Sequence, residues 1–276
     1  MVQSGSSSKG QGTSPESAGE RLAEGPHVGL FVTCIVDLFR PNVGFASVKL
    51  LQDAGCRVTV PPQQVCCGQP AYNSGDDEGA RRIAKQVIAA FSEFDYVVGP
   101  SGSCMATICK DYPEMFAHDA EWKAPAQNLA ARSHELLSFL TDVLGATPAP
   151  ATYQGRAAYH DSCSGLRKLG VKDQPRELLS HVEGLSLAEI QDSETCCGFG
   201  GTFCVKYPEI STHMVSDKVA NVEASGADTV LGGDLGCLFN IAGRLKRLEK
   251  PTKVFHAAEV LAGMTDIPAI GEPEQT

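Results

Sequence analysis

The sequence predicts an α/β protein made of two duplicated, doubly wound (Rossmann-like) lobes related by a pseudo-two-fold repeat. Three observations predict this fold. The triplet Cys-Cys-Gly occurs at 66–68 and again at 196–198, other cysteines fall at matching distances around each copy, and apolar runs alternate with helix-like segments in both halves. Such alternation is typical of parallel sheets that are covered by helices.

The repeat is visible in the spacing of the cysteines. Cys34 precedes Cys66 by 32 positions, and Cys163 precedes Cys196 by 33. A further cysteine follows each triplet, directly after an apolar run. The unit is about half the chain, which is too long for a solenoid repeat and indicates an internal duplication.

A segment rich in Pro, Ala and Gly at 145–155 separates the two copies. We therefore expect a first lobe at 27–147 and a second lobe at 155–265. The Ser- and Gly-rich stretch at 1–26 is predicted to be a disordered tail, and 266–276 a C-terminal tail.

Each half contains three short apolar runs of the kind that forms buried parallel strands. They lie at 28–34, 56–60, 96–100, 156–161, 185–190 and 227–233. Apolar residues at steps of three and four predict amphipathic helices around 80–91 and 215–222. Because sites in doubly wound sheets form at the carboxyl ends of strands, we expect the cysteines that follow strands to converge on one rim.

Composition narrows the function classes. A net charge of −10 argues against nucleic acid or an anionic membrane surface as the main partner. No apolar run has the length of a membrane span. The first residues lack the apolar core of a secretory signal, so we expect a cytoplasmic, reducing setting for the eleven cysteines. In that setting clustered thiols more often bind metal or carry out redox chemistry than form disulfides.

We expect eight of the cysteines to act as metal ligands, four from each lobe. They are Cys34, Cys66, Cys67 and Cys104 in the first lobe and Cys163, Cys196, Cys197 and Cys237 in the second. Neighbouring side chains in extended backbone point to opposite faces, so adjacent ligands need a tight turn, which a following glycine permits. A multi-iron cluster suits adjacent ligands better than one zinc ion, and zinc is favoured over a disulfide.

The remaining polar positions near the repeats are interpreted more simply. Cys56, Cys109 and Cys204 have no counterpart in the other half and are expected to be buried filler, with a role as an extra cluster ligand as the less favoured alternative for Cys109 and Cys204. Asp37 and Asp161 are expected to cap helices or form turns. His134 and His256 are expected at equivalent helix starts, as capping or packing residues.

Several multi-residue stretches resemble a known family. They are TCIVDLFRPNVG, CCGQPAYNSG, PSGSC, CCGFGGTF and GCLFNIAGRL, and the resemblance extends from about Val28 to about Ala262. A spaced cysteine, then Cys-Cys-Gly, then another cysteine, present twice, resembles the cysteine-rich CCG domain of the heterodisulfide reductases. The stretches are more similar still to the lactate utilization protein A family.

This resemblance implies two iron–sulfur clusters, of the [4Fe-4S] kind, at the two Cys-Cys-Gly motifs. It implies a cytoplasmic subunit that works with two other lactate utilization proteins in oxidising L-lactate to pyruvate. In heterodisulfide reductase relatives a terminal Cys-x-x-Cys supplies a fifth cysteine; here Thr107 and Asn240 stand at those positions. A four-cysteine cluster and a cluster with an open iron both remain compatible with the sequence.

Catalytic residues are less clearly marked than the ligands. An anionic substrate needs a local cation, for which Arg40 and Arg167 follow the first cysteine of each lobe. His160 precedes Cys163 closely and is a candidate donor to a cluster sulfur. No Gly-x-Gly-x-x-Gly follows a predicted strand, so a nicotinamide site is not indicated.

Two other function classes remain open on the residues alone. Adjacent cysteines beside a cluster are compatible with a thiol–disulfide reductase subunit of the heterodisulfide type. A zinc-stabilised interaction protein would use the same sulfurs without redox chemistry.

Overall fold

The computed structural model describes residues 25–273. It contains two four-stranded sheets in which every strand pair is parallel. The predicted fold class, two duplicated Rossmann-like α/β lobes, is confirmed. All but the last two residues of the expected N-terminal tail lie outside the described residues.

The first lobe has the strand order β2-β1-β3-β4. Its strands are β1 (His27–Leu30), β2 (Arg57–Thr59), β3 (Tyr96–Gly99) and β4 (Ser133–Glu135). Its α-helices are α1 (Cys34–Phe39), α2 (Pro41–Asp53), α3 (Gln69–Tyr72), α4 (Asp77–Ala90), α5 (Gly102–Ala106), α6 (Tyr112–Met115), α7 (Lys123–Ala131) and α8 (Leu136–Ser138). π-Helical turns follow α5 and α8, at Thr107–Asp111 and Phe139–Val143.

The second lobe repeats this plan with the strand order β6-β5-β7-β8. Its strands are β5 (Thr152–His160), β6 (Glu183–Ala188), β7 (Thr229–Gly232) and β8 (Lys253–His256). Its helices are α9 (Asp173–Leu179), α10 (Phe203–Lys206), α11 (Pro208–Ala224), α12 (Leu235–Arg247) and α13 (Ala257–Leu261), with a π-helical turn at Gly165–Leu169.

The fourth strand of each lobe was not among the predicted strands, and it corrects the alignment of the two halves by one residue. β3 pairs Gly99 with Glu135, and β7 pairs Gly232 with His256. Glu135, rather than His134, is therefore the counterpart of His256. Both residues cap the helix that follows: the Glu135 carboxylate accepts from two backbone N–H groups, and His256 Nδ1 accepts from one.

One hydrophobic core cluster is shared by the two lobes. Buried residues of both lobes, such as Leu30 and Leu137 from the first and Ala157 and Phe255 from the second, belong to a single contiguous cluster. The burial of both inner faces in one cluster fixes where the rims of the two sheets lie relative to each other.

Polar contacts add to the join between the lobes. Arg40 Nε donates to Glu259 Oε1 at 2.8 Å, and its Nη1 donates to the carbonyl of Pro268 at 2.8 Å. Lys168 Nζ lies 2.7 Å from Asp111 Oδ1. Each of these ion pairs joins a residue of one half to a residue of the other.

The end of the described chain also packs on the second lobe. Ala269 and Ile270 are buried, and the Ile270 N–H donates to the carbonyl of Val254 at 2.8 Å. Among residues 25–273, no helix combines the length and the apolar character that crossing a membrane requires.

Candidate functional site

In the first lobe, four cysteines meet at the carboxyl edge of the sheet. Cys34 begins the helix after β1, Cys104 lies in the helix after β3, and Cys66 and Cys67 form the loop before α3. The Sγ atoms of Cys34 and Cys66 are 3.9 Å apart. Cys67 neighbours both Cys66 and Cys104, so the four sulfurs form a row.

The second lobe brings its four cysteines together in the same order. Cys163 follows β5, and Cys237 lies in the helix after β7. Cys196 neighbours Cys163 and Cys197, and Cys197 in turn neighbours Cys237. All eight thiols are free. The residues that the sequence singled out as ligands are therefore gathered into two equivalent sites.

Helix caps hold the cysteines at their positions. Thr33 Oγ1 accepts from the Val36 N–H at 3.4 Å, at the start of the helix that Cys34 begins. Thr33, rather than the expected Asp37, is thus the capping residue. Ser101 Oγ accepts directly from the Cys104 N–H at 3.3 Å. Asp234 caps the helix that contains Cys237. Each of these three helices therefore begins at a polar residue that fixes the following cysteine.

The glycine of each Cys-Cys-Gly triplet makes the turn that the sequence analysis required. Gly68 and Gly198 have φ values of +81° and +79°, in the region that side chains disfavour. Their N–H groups point to Cys66 Sγ at 3.5 Å and Cys196 Sγ at 3.4 Å. The turn thus directs a backbone donor to the first sulfur of each pair.

The sulfurs of each site differ in acidity. Hydrogen bonds from the thiols of Cys34 and Cys67 and from backbone N–H groups hold the pKa of Cys66 well below its usual value. The pKa of Cys34 is raised, because its thiol donates to Cys66 and is partly desolvated. The pair Cys196 and Cys163 behaves in the same way. Each site therefore holds one stabilised thiolate among thiols whose protons a bound cation would displace.

A side chain anchors the second cysteine of each triplet through its carbonyl. In the first lobe the Tyr112 hydroxyl donates to the carbonyl of Cys67 at 2.8 Å. In the second lobe Asn240 Nδ2 donates to the carbonyl of Cys197 at 2.8 Å. Thr107, one of the two positions that the resemblance singled out for a fifth cysteine, is buried and donates to the carbonyl of Ser103. Thr107 and Asn240 are thus engaged in local structure.

The second site contains a buried histidine. A ring nitrogen of His160 and the Sγ atoms of Cys197 and Cys237 all lie within 4.8 Å of one another. His160 is fully buried, and neither ring nitrogen has a hydrogen-bond partner. Burial and the nearby Lys218 cation lower the pKa of His160 to about 3, although Cys196 acts in the opposite direction. The ring is therefore neutral.

Lys218 is a functional candidate that the sequence analysis missed. Its side chain is buried, and Nζ donates to the carbonyl of Ser193 at 2.8 Å and to that of Asp192 at 3.4 Å. Burial lowers its pKa, while nearby Cys197 and Asp161 oppose that shift. The sequence did contain a signal for this residue, because Lys218 lies on the apolar face of a predicted helix, where an unpaired lysine is rare.

Asp161 is neither a cap nor a turn former. Its buried carboxylate accepts from Arg176 Nη1 and Nη2, both at 2.9 Å. The Arg176 guanidinium thus compensates the buried negative charge of Asp161, which lies two residues before Cys163.

The cations proposed for an anionic substrate differ in their availability. Arg40 is held by Glu259 and lines a cavity of about 830 Å³ that no cysteine lines. Arg167 is exposed, and its one hydrogen bond is to the carbonyl of Glu194 at 3.3 Å. Hydrogen bonding to Cys196 and burial raise the pKa of Cys163, and the charge of Arg167 opposes that rise, which indicates that Arg167 lies near the second site.

Each site is reached from solvent through a cleft. One of about 460 Å³ is lined by Cys34 and Cys66 together with exposed apolar residues such as Phe45. Another of about 540 Å³ reaches Cys196 and is lined by Asn73 of the first lobe and Lys206 of the second.

The three unmatched cysteines lie elsewhere. Cys56 belongs to the hydrophobic core, and burial raises its pKa to about 11. Cys109 donates to the carbonyl of Ser133 at 3.2 Å, and burial raises its pKa to about 12. Cys204 donates to the carbonyl of Gly201 at 3.6 Å.

A duplicated α/β fold with Cys-Cys-Gly sites at the rims of both sheets defines a cysteine-rich CCG protein. The family model described as "CCG: Cysteine-rich domain" matches residues 28–109 and 157–242. Two curated relatives are named lactate utilization protein A. That of Geobacillus kaustophilus is 53% identical over 234 residues, which are 85% of this chain and 98% of the relative. That of Bacillus subtilis is 50% identical over the same shares. The chain belongs to the lactate utilization protein A family.

A solved structure supports the fold alone. A hypothetical protein from Helicobacter pylori superposes with a TM-score of 0.61 at 11% sequence identity, covering 88% of this chain. This chain spans about half of that protein, 49% of its length.

Proposed function

We propose that this chain is the iron–sulfur subunit of a cytoplasmic complex that oxidises L-lactate to pyruvate together with two other lactate utilization proteins. The observation that carries the proposal is the pair of equivalent rows of four free cysteine sulfurs. Family membership supports the lactate part of the proposal, because the relatives are named for lactate utilization.

The donor set fits an iron–sulfur cluster better than a single zinc ion. Four sulfurs at about 2.3 Å around one zinc would all lie about 3.8 Å apart. Among residues 25–273, three donor atoms of His, Cys, Asp or Glu lie within 4.8 Å of one another only at His160, Cys197 and Cys237. The sulfurs of each site are thus spread more widely than the ligands of one zinc ion, which suits a body with several metal atoms.

The proposed ligands are the eight matched cysteines. In each row the backbone N–H of the CCG glycine reaches the first sulfur of the adjacent pair, and a side chain holds the carbonyl of the second. When bound, iron–sulfur clusters supply one-electron redox chemistry. The protein's part is to hold the thiolates and to keep both sites at the rim.

Stoichiometry gives a reason for two sites. Oxidation of lactate to pyruvate releases two electrons and two protons, and a cluster normally takes one electron. Two clusters on one chain would accept the pair.

For the substrate carboxylate we favour Arg167, which is exposed beside Cys163, over Arg40, which is held by Glu259. An unchanged KM for lactate in Arg167→Ala would remove this residue from the proposal.

The experiment uses the full chain purified without oxygen and combined with the two other lactate utilization proteins of the same organism. We expect L-lactate, but not D-lactate, to reduce the chain's clusters, followed by electron paramagnetic resonance, with formation of pyruvate. The double variant Cys66→Ser, Cys196→Ser is expected to abolish pyruvate formation, and Cys56→Ser to leave it unchanged.

Pyruvate formation that survives the double variant would contradict the proposal. Oxidation of a small dithiol in place of L-lactate would instead support the thiol–disulfide reductase alternative.

A further inference from the structure

We propose that the two sites give their clusters different reduction potentials, with the higher potential in the second lobe, because the Lys218 cation and the neutral His160 ring lie beside that site. This inference rests on the proposed function, since it concerns clusters at these cysteines. It adds that the duplication is not symmetric: an electron delivered to the chain resides in the second lobe.

Phe31 of the first lobe and His160 of the second are equivalent residues. Both stand three positions before the first cysteine of their lobe, Phe31 directly after β1 and His160 at the end of β5. The Phe31 N–H bonds to Val98 of β3, and Tyr159 and His160 pair with Leu231 and Gly232 of β7. His160 therefore occupies the place of Phe31.

The same reasoning places Lys218 opposite a valine. A methyl group built on Gly68 would meet Ile83, and one built on Gly198 would meet Met214, so these two residues correspond. Four residues further along each helix stand Val87 and Lys218. Both are fully buried, but only one carries a charge.

The charge of Lys218 is not cancelled by its surroundings. Its Nζ is held by two carbonyl oxygens, those of Asp192 and Ser193. The nearby carboxylate of Asp161 is already paired with Arg176 in a bidentate contact. Asp234 faces both lobes, because it caps α12 and also accepts from the Ser103 N–H. Asp234 raises the pKa of Cys237 and so opposes Lys218, but its charge is shared with the Ser103 N–H of the first lobe.

Electrostatics gives the direction of the effect. Reduction adds one negative charge to a cluster, and a buried cation beside the site stabilises that charge more strongly in a medium of low dielectric than it would in water. Phe31 and Val87 offer no such stabilisation to the first site. Lys218 therefore favours the reduced state in the second lobe only.

His160 acts in the same direction. Its neutral ring has two nitrogens without partners and lies beside Cys197 and Cys237. A ring nitrogen that coordinates iron adds no negative charge, and an N–H that donates to a sulfur withdraws electron density from it. Histidine in place of cysteine raises the potential of other iron–sulfur centres.

The experiment is a redox titration, followed by electron paramagnetic resonance, of the full chain prepared without oxygen, with dithionite as the reductant. Cys66→Ser and Cys196→Ser each leave one site intact and assign the two midpoints to the two lobes. We expect the second-lobe midpoint to be the higher. Lys218→Val introduces the residue of the first lobe. It is expected to lower the second-lobe midpoint by about 59 mV, which corresponds to a tenfold smaller equilibrium constant for one-electron reduction.

The control variants separate charge from packing. Val87→Met changes the matching position without adding charge and is expected to move neither midpoint. His160→Phe, the other copy of the first lobe, is expected to lower the second-lobe midpoint as well. Should Lys218→Val fail to bind iron, Lys218→Met keeps most of the side-chain length and takes its place.

Equal midpoints in the wild-type chain, a higher midpoint in the first lobe, or a second-lobe midpoint unmoved by Lys218→Val would overturn the inference. Failure of the proposed function would look different, because the wild-type chain would then contain no iron and sulfide to titrate.

Discussion

Behind the first-lobe cysteines lie Phe31 and Val87, whereas His160 and Lys218 lie at the equivalent places behind the second-lobe cysteines. The sulfurs, the glycine turn and the anchored carbonyl are the same in both lobes. The two lobes therefore have the same arrangement of sulfurs, whereas the buried positions behind the sulfurs differ in charge.

A third position follows the same pattern. Asp161, which is buried and paired with Arg176, stands where the first lobe has Val32. A buried charge needs its partner, so the second lobe depends on long-range ion pairing where the first depends on apolar packing.

The largest expected effect comes from removing one ligand at a time. We expect Cys66→Ser and Cys196→Ser each to lose about half of the iron, because each lobe holds its own four sulfurs. The two variants should leave different residual electron paramagnetic resonance spectra. Cys56→Ser, in the hydrophobic core, serves as the control and should keep all the iron. Loss of all iron from either single variant would contradict two independent sites.

The next effect concerns the buried ion pair of the second lobe. Arg176→Met leaves the Asp161 carboxylate buried without its partner, which costs about 3–5 kcal/mol in the free energy of unfolding. Hydrogen exchange should show the loss in the second lobe first. The control Lys49→Met removes an exposed pair with Asp53 and should cost about 0.3–0.5 kcal/mol. Equal effects of the two variants would show that the Asp161 pair contributes no more than a surface pair.

Much of this comparison could be predicted from the sequence, and some of it could not. The cysteine spacing and the apolar runs predicted six strands and both sites. β4 and β8 were missed because they lack an apolar run: β4 is Ser-His-Glu, and β8 has two apolar residues between a lysine and a histidine. The Arg40–Glu259 pair joins residues 219 positions apart, which no local pattern encodes. Lys218 was visible in the helix pattern, but its burial depends on the packing of the whole lobe.

The two CCG glycines provide a smaller, graded comparison. An alanine Cβ at position 198 would lie 2.7 Å from the carbonyl oxygen of Ser211, whereas at position 68 it would lie 3.2 Å from Ile83 Cγ2. Both substitutions carry a cost of about 1–2 kcal/mol for the left-handed backbone. Denaturant unfolding should show a larger loss for Gly198→Ala than for Gly68→Ala, since a backbone atom cannot move aside.

Gly55→Ala isolates the backbone contribution, because Gly55 has a φ of +85° and nothing lies within 4 Å of the added methyl group. We expect its loss to be the smallest of the three. A Gly55→Ala variant as unstable as Gly198→Ala would refute the steric explanation.

The last comparison concerns the equivalent caps Glu135 and His256, whose contributions to stability respond to pH in opposite directions. Burial raises the pKa of Glu135 to about 8 from 4.5, so its contribution to stability is complete below pH 4.5 and is lost as pH rises towards 8. Burial lowers the pKa of His256, so its contribution is lost as pH falls below about 6.5.

Glu135→Gln should therefore remove a downward slope of up to about 1.4 kcal/mol per pH unit between pH 4.5 and 8. The free energy of unfolding, measured at several pH values in this window, is the test. A slope that is unchanged in the variant would show that the carboxyl group does not titrate there.

Whether the eight sulfurs hold two iron–sulfur clusters is tested by the content of iron and acid-labile sulfide per chain in protein prepared without oxygen. Two four-iron clusters predict about eight irons and about eight sulfides, with cluster signals in electron paramagnetic resonance after reduction. A colourless chain that contains zinc and no sulfide would contradict the claim.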